Sequence, residues 1–153
     1  MGEYFSLIHP FIFKLMESFK NYMQRCEVLA AEAAKTGNAP VGCIIVKGNK
    51  IIAEASEAGV TKKDITAHAE MEAIRLARME LGKDLSGTLM ITTHEPCVMC
   101  AYAIRYHRIS TLVYRDAVDH LGGATSRFNI LTTDETPEHW GAPPKIIVYK
   151  TRE

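Results

Sequence analysis

The sequence has little that would mark it for a membrane, for export or for a polyanion. Its most apolar early stretch, Leu7-Ile8-His9-Pro10-Phe11-Ile12-Phe13, is far short of a bilayer span. That stretch follows Glu3 rather than a basic run and has no small-residue cleavage site, which makes it a poor signal peptide. Lys plus Arg and Asp plus Glu both number 18, so no net charge draws in nucleic acid or anionic lipid. There is no internal repeat, no Gly/Ser or Pro-rich linker and no block of like charge, which excludes solenoids and low-complexity chains. Cysteine occurs only four times, at Cys26, Cys43, Cys97 and Cys100, too sparsely for a disulfide scaffold in a chain with no visible export signal. These absences point to a soluble cytoplasmic protein with no membrane partner. At 153 residues and 47% apolar composition, a single domain with a full core is expected.

Residues 1–17 read as an N-terminal extension, because Pro10 interrupts any helix there; residues 18–153 read as one domain. Phe19, Tyr22, Met23, Cys26, Leu29, Ala30 and Ala33 form a helical stripe with Lys20, Gln24, Glu27 and Lys35 opposite, and Gly37 lies just beyond. Gly42–Val46 and Ile51–Ser56 are β-rich runs joined by Lys47-Gly48-Asn49-Lys50, a hairpin. A second helix, capped by Thr66 or Asp64, runs to Leu81 with Ile74, Ala77 and Leu81 facing inward. Thr88–Thr93, Thr111–Arg115 and Lys145–Lys150 are strands, and Cys97–Tyr106 is a helix. The long stretch 116–144 is irregular, with one short helix near Ser126–Leu131. Strands alternating with helices after a hairpin imply an α/β fold, a mixed sheet of about five strands with helices on both faces. Strands three and four should be parallel, with chemistry beyond their carboxyl ends.

Two segments fall at that location: Thr66-Ala67-His68-Ala69-Glu70 and His94-Glu95-Pro96-Cys97-Val98-Met99-Cys100. Cys97 and Cys100, three apart at a helix start, can take adjacent corners of a tetrahedron, and His68 supplies a third ligand. Three protein ligands leave one zinc position open, the mark of a catalytic site. The helix N-termini favour the thiolates that zinc requires. Glu70, two residues from His68, has the place of a proton shuttle rather than a ligand. Pro96 suits a first helical turn.

The order His-x-Glu…Pro-Cys-x-x-Cys is the sign of the zinc nucleobase deaminases. The sequence resembles the cytidine deaminase superfamily, nearest the branch of guanine deaminases, yeast-type cytosine deaminases and bacterial tRNA adenosine deaminases. The likeness covers roughly Asn21 to Leu131 and includes Ala39-Pro40-Val41-Gly42, Ala101-Tyr102-Ala103-Ile104 and Arg108-Ile109. It implies a three-layer α/β/α fold, one Zn2+ per chain and a homodimer. It also implies hydrolytic deamination, with Glu70 carrying protons, ammonia leaving and no organic cofactor. Three other readings compete. A redox Cys-x-x-Cys leaves His68 and Glu70 unused. A closed structural zinc would have to draw Cys26 or Cys43 from an apolar face. A zinc-bearing binding module without turnover would have no need of Glu70.

Relatives of this branch carry an Asn eleven residues before the zinc histidine that binds the base or its sugar. Here that position is Glu57, which only accepts hydrogen bonds when ionised and so favours a ring rich in N–H groups; the competing reading is a hairpin slipped by one residue, with Glu57 solvated. The resemblance also assigns substrate contacts to the N–H of Ala69 and the carbonyl of Glu95. His94 reads as a rim or packing histidine, Phe128 and Trp140 as packing aromatics, and His9, His107, His120 and His139 as non-catalytic. Such relatives continue past the last strand into a helix over the substrate, whereas here three residues follow Lys150. Either residues 123–144 close the pocket or the substrate is larger and the pocket open, with the N-terminal extension or a partner subunit as the other sources of cover. The expected substrate is a free base, nucleoside or related small heterocycle. The alternative is adenosine in tRNA, which would draw Lys62, Lys63, Arg105, Arg108, Arg115 and Arg127 into a phosphate-binding patch. The neutral charge balance disfavours that nucleic-acid partner.

Overall fold

The computed structural model describes residues 2–151; Met1, Arg152, Glu153 and the side chains of residues 2–9 and of Phe11 lie outside the described residues. Helix α1 spans Gly2–Lys35. It is followed by β1 (Gly42–Lys47), β2 (Lys50–Ser56), α2 (Gly59–Lys62), α3 (Ala69–Leu81), β3 (Thr88–His94), α4 (Val98–Tyr106), β4 (Thr111–Asp116) and β5 (Lys145–Val148). The sheet order is β2-β1-β3-β4-β5. β1 is antiparallel to β2 and β3, while β3, β4 and β5 run parallel. This is the mixed sheet expected from the pattern, and the β3–β4 pair is parallel as the crossover rule requires. The hairpin closes at Lys47 opposite Lys50. No helix among the described residues is long and apolar enough to cross a membrane.

Strand alternation divides the core into two layers. Ile44, Val46, Ile91 and Val113 face α1, where Met23, Cys26 and Leu29 cover them. Cys43, Ile45, Met90, Leu112 and Tyr114 face the other side, under Ala69, Ala73, Ile74 and Ala77 of α3 and Ala103 and Ile104 of α4. Each large aliphatic side chain withdrawn from water in this way contributes about 1.5–3 kcal/mol. Gly42 sets how closely α1 approaches β1: a Cβ there would lie 2.1 Å from the Cys26 carbonyl oxygen and 2.7 Å from Leu29 Cβ. Any side chain at that position would lever the helix off the sheet.

Four local expectations are corrected. Pro10 does not interrupt the first helix; it sits inside α1 and removes one intrahelical hydrogen bond from a 34-residue element. Neither Thr66 nor Asp64 caps α3, whose N-cap is His68. Asp64 instead accepts the N–H and the hydroxyl of Thr66, both at 2.8 Å, in a tight turn ahead of the helix. Likewise Pro96 precedes the N-cap of α4, Cys97, rather than opening its first turn. No helix forms at 126–131, because side chains there bond the local backbone: Ser126 Oγ donates to the Gly122 carbonyl and accepts the Phe128 N–H. The one helical turn in the long segment lies at Glu138–Trp140.

Candidate active site

The two predicted segments meet where the parallel strands end. His68 is the N-cap of α3 and Cys97 the N-cap of α4, both with extended backbone (φ −65, ψ 151 and φ −69, ψ 173). That conformation turns each side chain off its helix and toward the neighbouring tip. His68 Nδ1 lies 3.6 Å from Cys97 Sγ and 3.6 Å from Cys100 Sγ. Bonds of about 2.3 Å to sulfur and about 2.0–2.1 Å to nitrogen at a tetrahedral angle place S and N about 3.6 Å apart. The three ligand atoms lie within 4.8 Å of one another, and among the described residues they are the single His/Cys/Asp/Glu group so arranged. The donor set and spacing fit zinc.

The charge state suits a metal as well. The Cys97 thiol is pulled down to about 4, chiefly by the hydrogen bond from Cys100 and, against the effect of burial, by His68. Cys100 is pushed up by the same hydrogen bond and by burial. His68 rises to about 9 on its bond to Cys97, burial working the other way. One thiolate is thus in place near neutral pH, and the second ligand thiol is held beside it. Cys26 and Cys43 are buried elsewhere, with Cys26 Sγ donating to the Ile91 carbonyl at 3.3 Å and Cys43 Sγ 3.8 Å from that of Ile44. Neither supplies the fourth ligand that a closed structural site would need.

Glu70 lies in the first turn of α3, 4% exposed. Thr92 on β3 donates its hydroxyl to Oε1 at 2.7 Å, and Oε2 is 3.6 Å from Cys100 Sγ. Burial raises its pKa, with the Thr92 bond partly opposing. The carboxylate is therefore fixed at one oxygen and faces the ligand cluster with the other. Thr92 carries no signal in the sequence beyond its place on a strand; its role follows from register.

Glu57 follows β2 directly, and its Oε2 accepts the Ala69 N–H at 3.2 Å. The structure thus brings together two of the expected substrate contacts, Glu57 and Ala69, at the tip of α3 beside His68. Glu95, expected to act through its carbonyl, does something sequence reasoning missed. Its carboxylate, 2% exposed, accepts the N–H groups of Val118 (3.0 Å), Ala124 (2.9 Å) and Thr125 (2.7 Å) and the Thr125 hydroxyl. This ties the 118–125 loop to the turn that carries Cys97, where the Leu121 carbonyl accepts the Val98 N–H at 2.9 Å and Gly122 bridges Cys97. A Cβ on Gly122 would fall 2.5 Å from Glu95 Oε1, so only glycine lets the loop come this close.

Of the six basic residues weighed as a phosphate patch, Arg105 is spent inside the protein, while Arg108, Arg115 and Lys62 are engaged by neighbours nearer the surface. Arg105 is 2% exposed and donates to the carbonyls of Ile130, Thr133 and Gly141 and to Thr136 Oγ1, gathering the 130–141 segment onto α4. Arg108 donates to the His139 carbonyl, Arg115 pairs with Glu27 and Asp116, and Lys62 pairs with Glu72. Trp140 is buried, as packing, against Tyr102 at 4.8 Å between ring centroids.

Comparison with known proteins agrees with this geometry. The model of the cytidine and deoxycytidylate deaminase zinc-binding region matches residues 16–116. A tRNA-specific adenosine deaminase of Aquifex aeolicus is 44% identical over 103 residues, 67% of this chain and 68% of that protein. One from Streptococcus pyogenes is 36% identical over 125 residues, 81% of this chain and 78% of its own length. Among solved structures, a Bacillus subtilis guanine deaminase superimposes with a TM-score of 0.63 at 31% identity, covering 88% of this chain and 85% of its own. A structure from work on A-to-I editing by tRNA:A34 deaminases gives 0.77 at 29% identity, covering 84% and 91%.

Proposed function

We propose, from the premise that the chain belongs to the cytidine and deoxycytidylate deaminase family and is a zinc-dependent hydrolytic deaminase, that it acts on an amino-substituted base, nucleoside or related small heterocycle. His68, Cys97 and Cys100 would hold the metal, and Glu70 would carry the protons. When bound, zinc supplies Lewis-acid activation of the attacking water. Glu70 Oε1 stays on the Thr92 hydroxyl, which leaves Oε2 to take a proton from that water. Burial raises the Glu70 pKa toward the working pH, so the carboxyl can hold the proton long enough to deliver it to a ring nitrogen and then to the leaving amine. One water is consumed, the C–NH2 bond breaks, a carbonyl remains and ammonia leaves.

The observation that carries the small-substrate reading is that most of the basic side chains are engaged by partners in the same chain. With Arg105 buried and Arg115 paired with Glu27 and Asp116, four of the six stay exposed, and of these Lys62 is already paired with Glu72 and Arg108 bonded to the His139 carbonyl. Deamination of adenosine in tRNA is the second reading, favoured by the 44% identity to the Aquifex aeolicus enzyme. Ammonia release from a panel of free bases and nucleosides, beside inosine formation in tRNA, separates the two. Turnover confined to tRNA would reject the first.

A further inference from the structure

Strand register places a second row of side chains over the metal cluster. Thr92, which holds Glu70, pairs with Cys43 on one side and Tyr114 on the other, and Cys43 pairs with Ala55. Cys43, Ala55 and Tyr114 all pack on the face covered by α3 and α4. One pleat further, about 6.8 Å along the strands, the same face carries Glu57, Val41, His94 and Asp116. The Glu57 N–H bonds the Val41 carbonyl at 3.0 Å, and His94 is paired with Asp116. Val41 is an apolar floor; Glu57 stands on one side of it, His94 and Asp116 on the other.

The imidazole of His94 is anchored through Nδ1. Its Nδ1 is 2.8 Å from Thr93 Oγ1, an oxygen that already accepts the Gly42 N–H at 3.3 Å. With the Thr93 hydroxyl donating to Nδ1, the ring proton sits on Nε2. Nε2 stands 3.8 Å from Asp116 Oδ2, beyond hydrogen-bond range, and both side chains are partly open at 34% and 44% exposure. Asp116 uses one position on each oxygen for Arg115, at 3.0 and 2.7 Å, and keeps acceptor capacity. The wall therefore offers a free N–H donor next to a carboxylate acceptor.

We propose that His94 and Asp116 are specificity-determining residues that read a lactam edge, a ring carbonyl beside a ring N–H, on the heterocycle deaminated at this site. The carbonyl accepts from His94 Nε2 and the ring N–H donates to Asp116. The inference rests on the small-heterocycle reading above and narrows it to lactam-bearing rings. Adenine, which has no ring carbonyl, satisfies neither partner as well.

Two matched pairs of probes test this: guanine with 2-aminopurine, and cytosine with 4-aminopyrimidine. Within each pair the lactam is present in one and absent in the other. The reading is kcat/KM for ammonia release by the zinc-loaded full chain. Comparing the lactam preference of wild type with that of a variant cancels the difference in intrinsic reactivity between the probes. His94→Phe should lower the preference about tenfold, mainly through KM, for whichever pair is turned over, and His94→Gln, which keeps a donor, should retain most of it. Asp116→Leu, which removes the acceptor and leaves the imidazole in place, should lower the preference by a similar factor. Zinc content and melting temperature report folding for each variant. A lactam preference unchanged within twofold in both His94→Phe and Asp116→Leu overturns the proposal alone. Turnover of tRNA with none of the four probes overturns the proposal, and with none of the free bases and nucleosides of the wider panel it overturns the small-heterocycle reading as well.

Discussion

Replacing Glu95 by Gln perturbs one atom of a buried carboxylate, and the structure sets the consequence. Oε1 accepts from the Ala124 and Thr125 N–H groups, so an amide oxygen placed there keeps both, and the Thr125 hydroxyl, 3.0 Å from Oε1 and 2.8 Å from Oε2, keeps Oε1 as an acceptor. The new NH2 then faces the Val118 N–H, which now bonds Oε2 at 3.0 Å. A charge-assisted bond worth about 1.5–3 kcal/mol is lost and two donors are opposed, for a total of about 3 kcal/mol. For a domain of this size that lowers Tm by about 6–12 °C. Because the loop braces the turn holding Cys97, zinc affinity should fall about ten- to a hundredfold as well. The pH dependence has a definite sign. Burial works to raise the Glu95 pKa, but the bonds from Val118, Thr125 and Ala124 outweigh it and hold it low. Its contribution is complete above the unfolded carboxyl pKa, about 4.3, and is lost as pH falls through the lower folded value. The gap between wild type and Glu95→Gln in calorimetric melts should be constant from neutral pH down to about 5 and close below it. A Tm within about 2 °C of wild type at pH 7 would refute the latch.

Other consequences follow from the same geometry. Cys97→Ser and Cys100→Ser should each lose stoichiometric zinc and melt lower, since site assembly contributes to folding; metal analysis of chelator-free preparations checks this. With Cys97 already a thiolate but Cys100 pushed up and His68 near 9, zinc binding to the apoprotein at pH 7 should release about two protons, read by calorimetry in buffers of different ionisation enthalpy. Release of none would mean that the ligands are not these. Glu57→Asn restores the amide of relatives and should shift kcat/KM on the order of ten- to a hundredfold away from the native substrate and toward cytosine- or adenine-type rings. A profile within about twofold of wild type would place Glu57 outside the pocket.

The metal cluster was legible in the sequence because its spacing is local: Cys97 and Cys100 share a helix start, and His68 opens the preceding helix. The sheet was legible because each strand is bounded by turn residues and alternates faces. What escaped was set by long-range contact. Glu95 looks like part of a motif, and its ties to Val118 and Thr125, more than twenty residues away, need the folded loop. Arg105 reads as a surface charge until the 130–141 segment wraps it in carbonyls. The wall of His94 and Asp116 exists only once β3 and β4 are in register. Pro10 marks a helix break by local rules, but α1 continues through it.

Glu70→Gln tests the central claim most directly, with zinc content and ammonia release measured on the same preparation as wild type. The amide is nearly isosteric and keeps Thr92 as a partner, but it cannot accept and return a proton at Oε2. About one zinc per chain should remain in both proteins, while turnover on the responding substrate falls at least about 10² to 10⁴-fold in the variant. Absence of zinc from the wild-type protein, or turnover by Glu70→Gln close to wild type, would contradict a zinc-dependent deaminase in which Glu70 moves the protons.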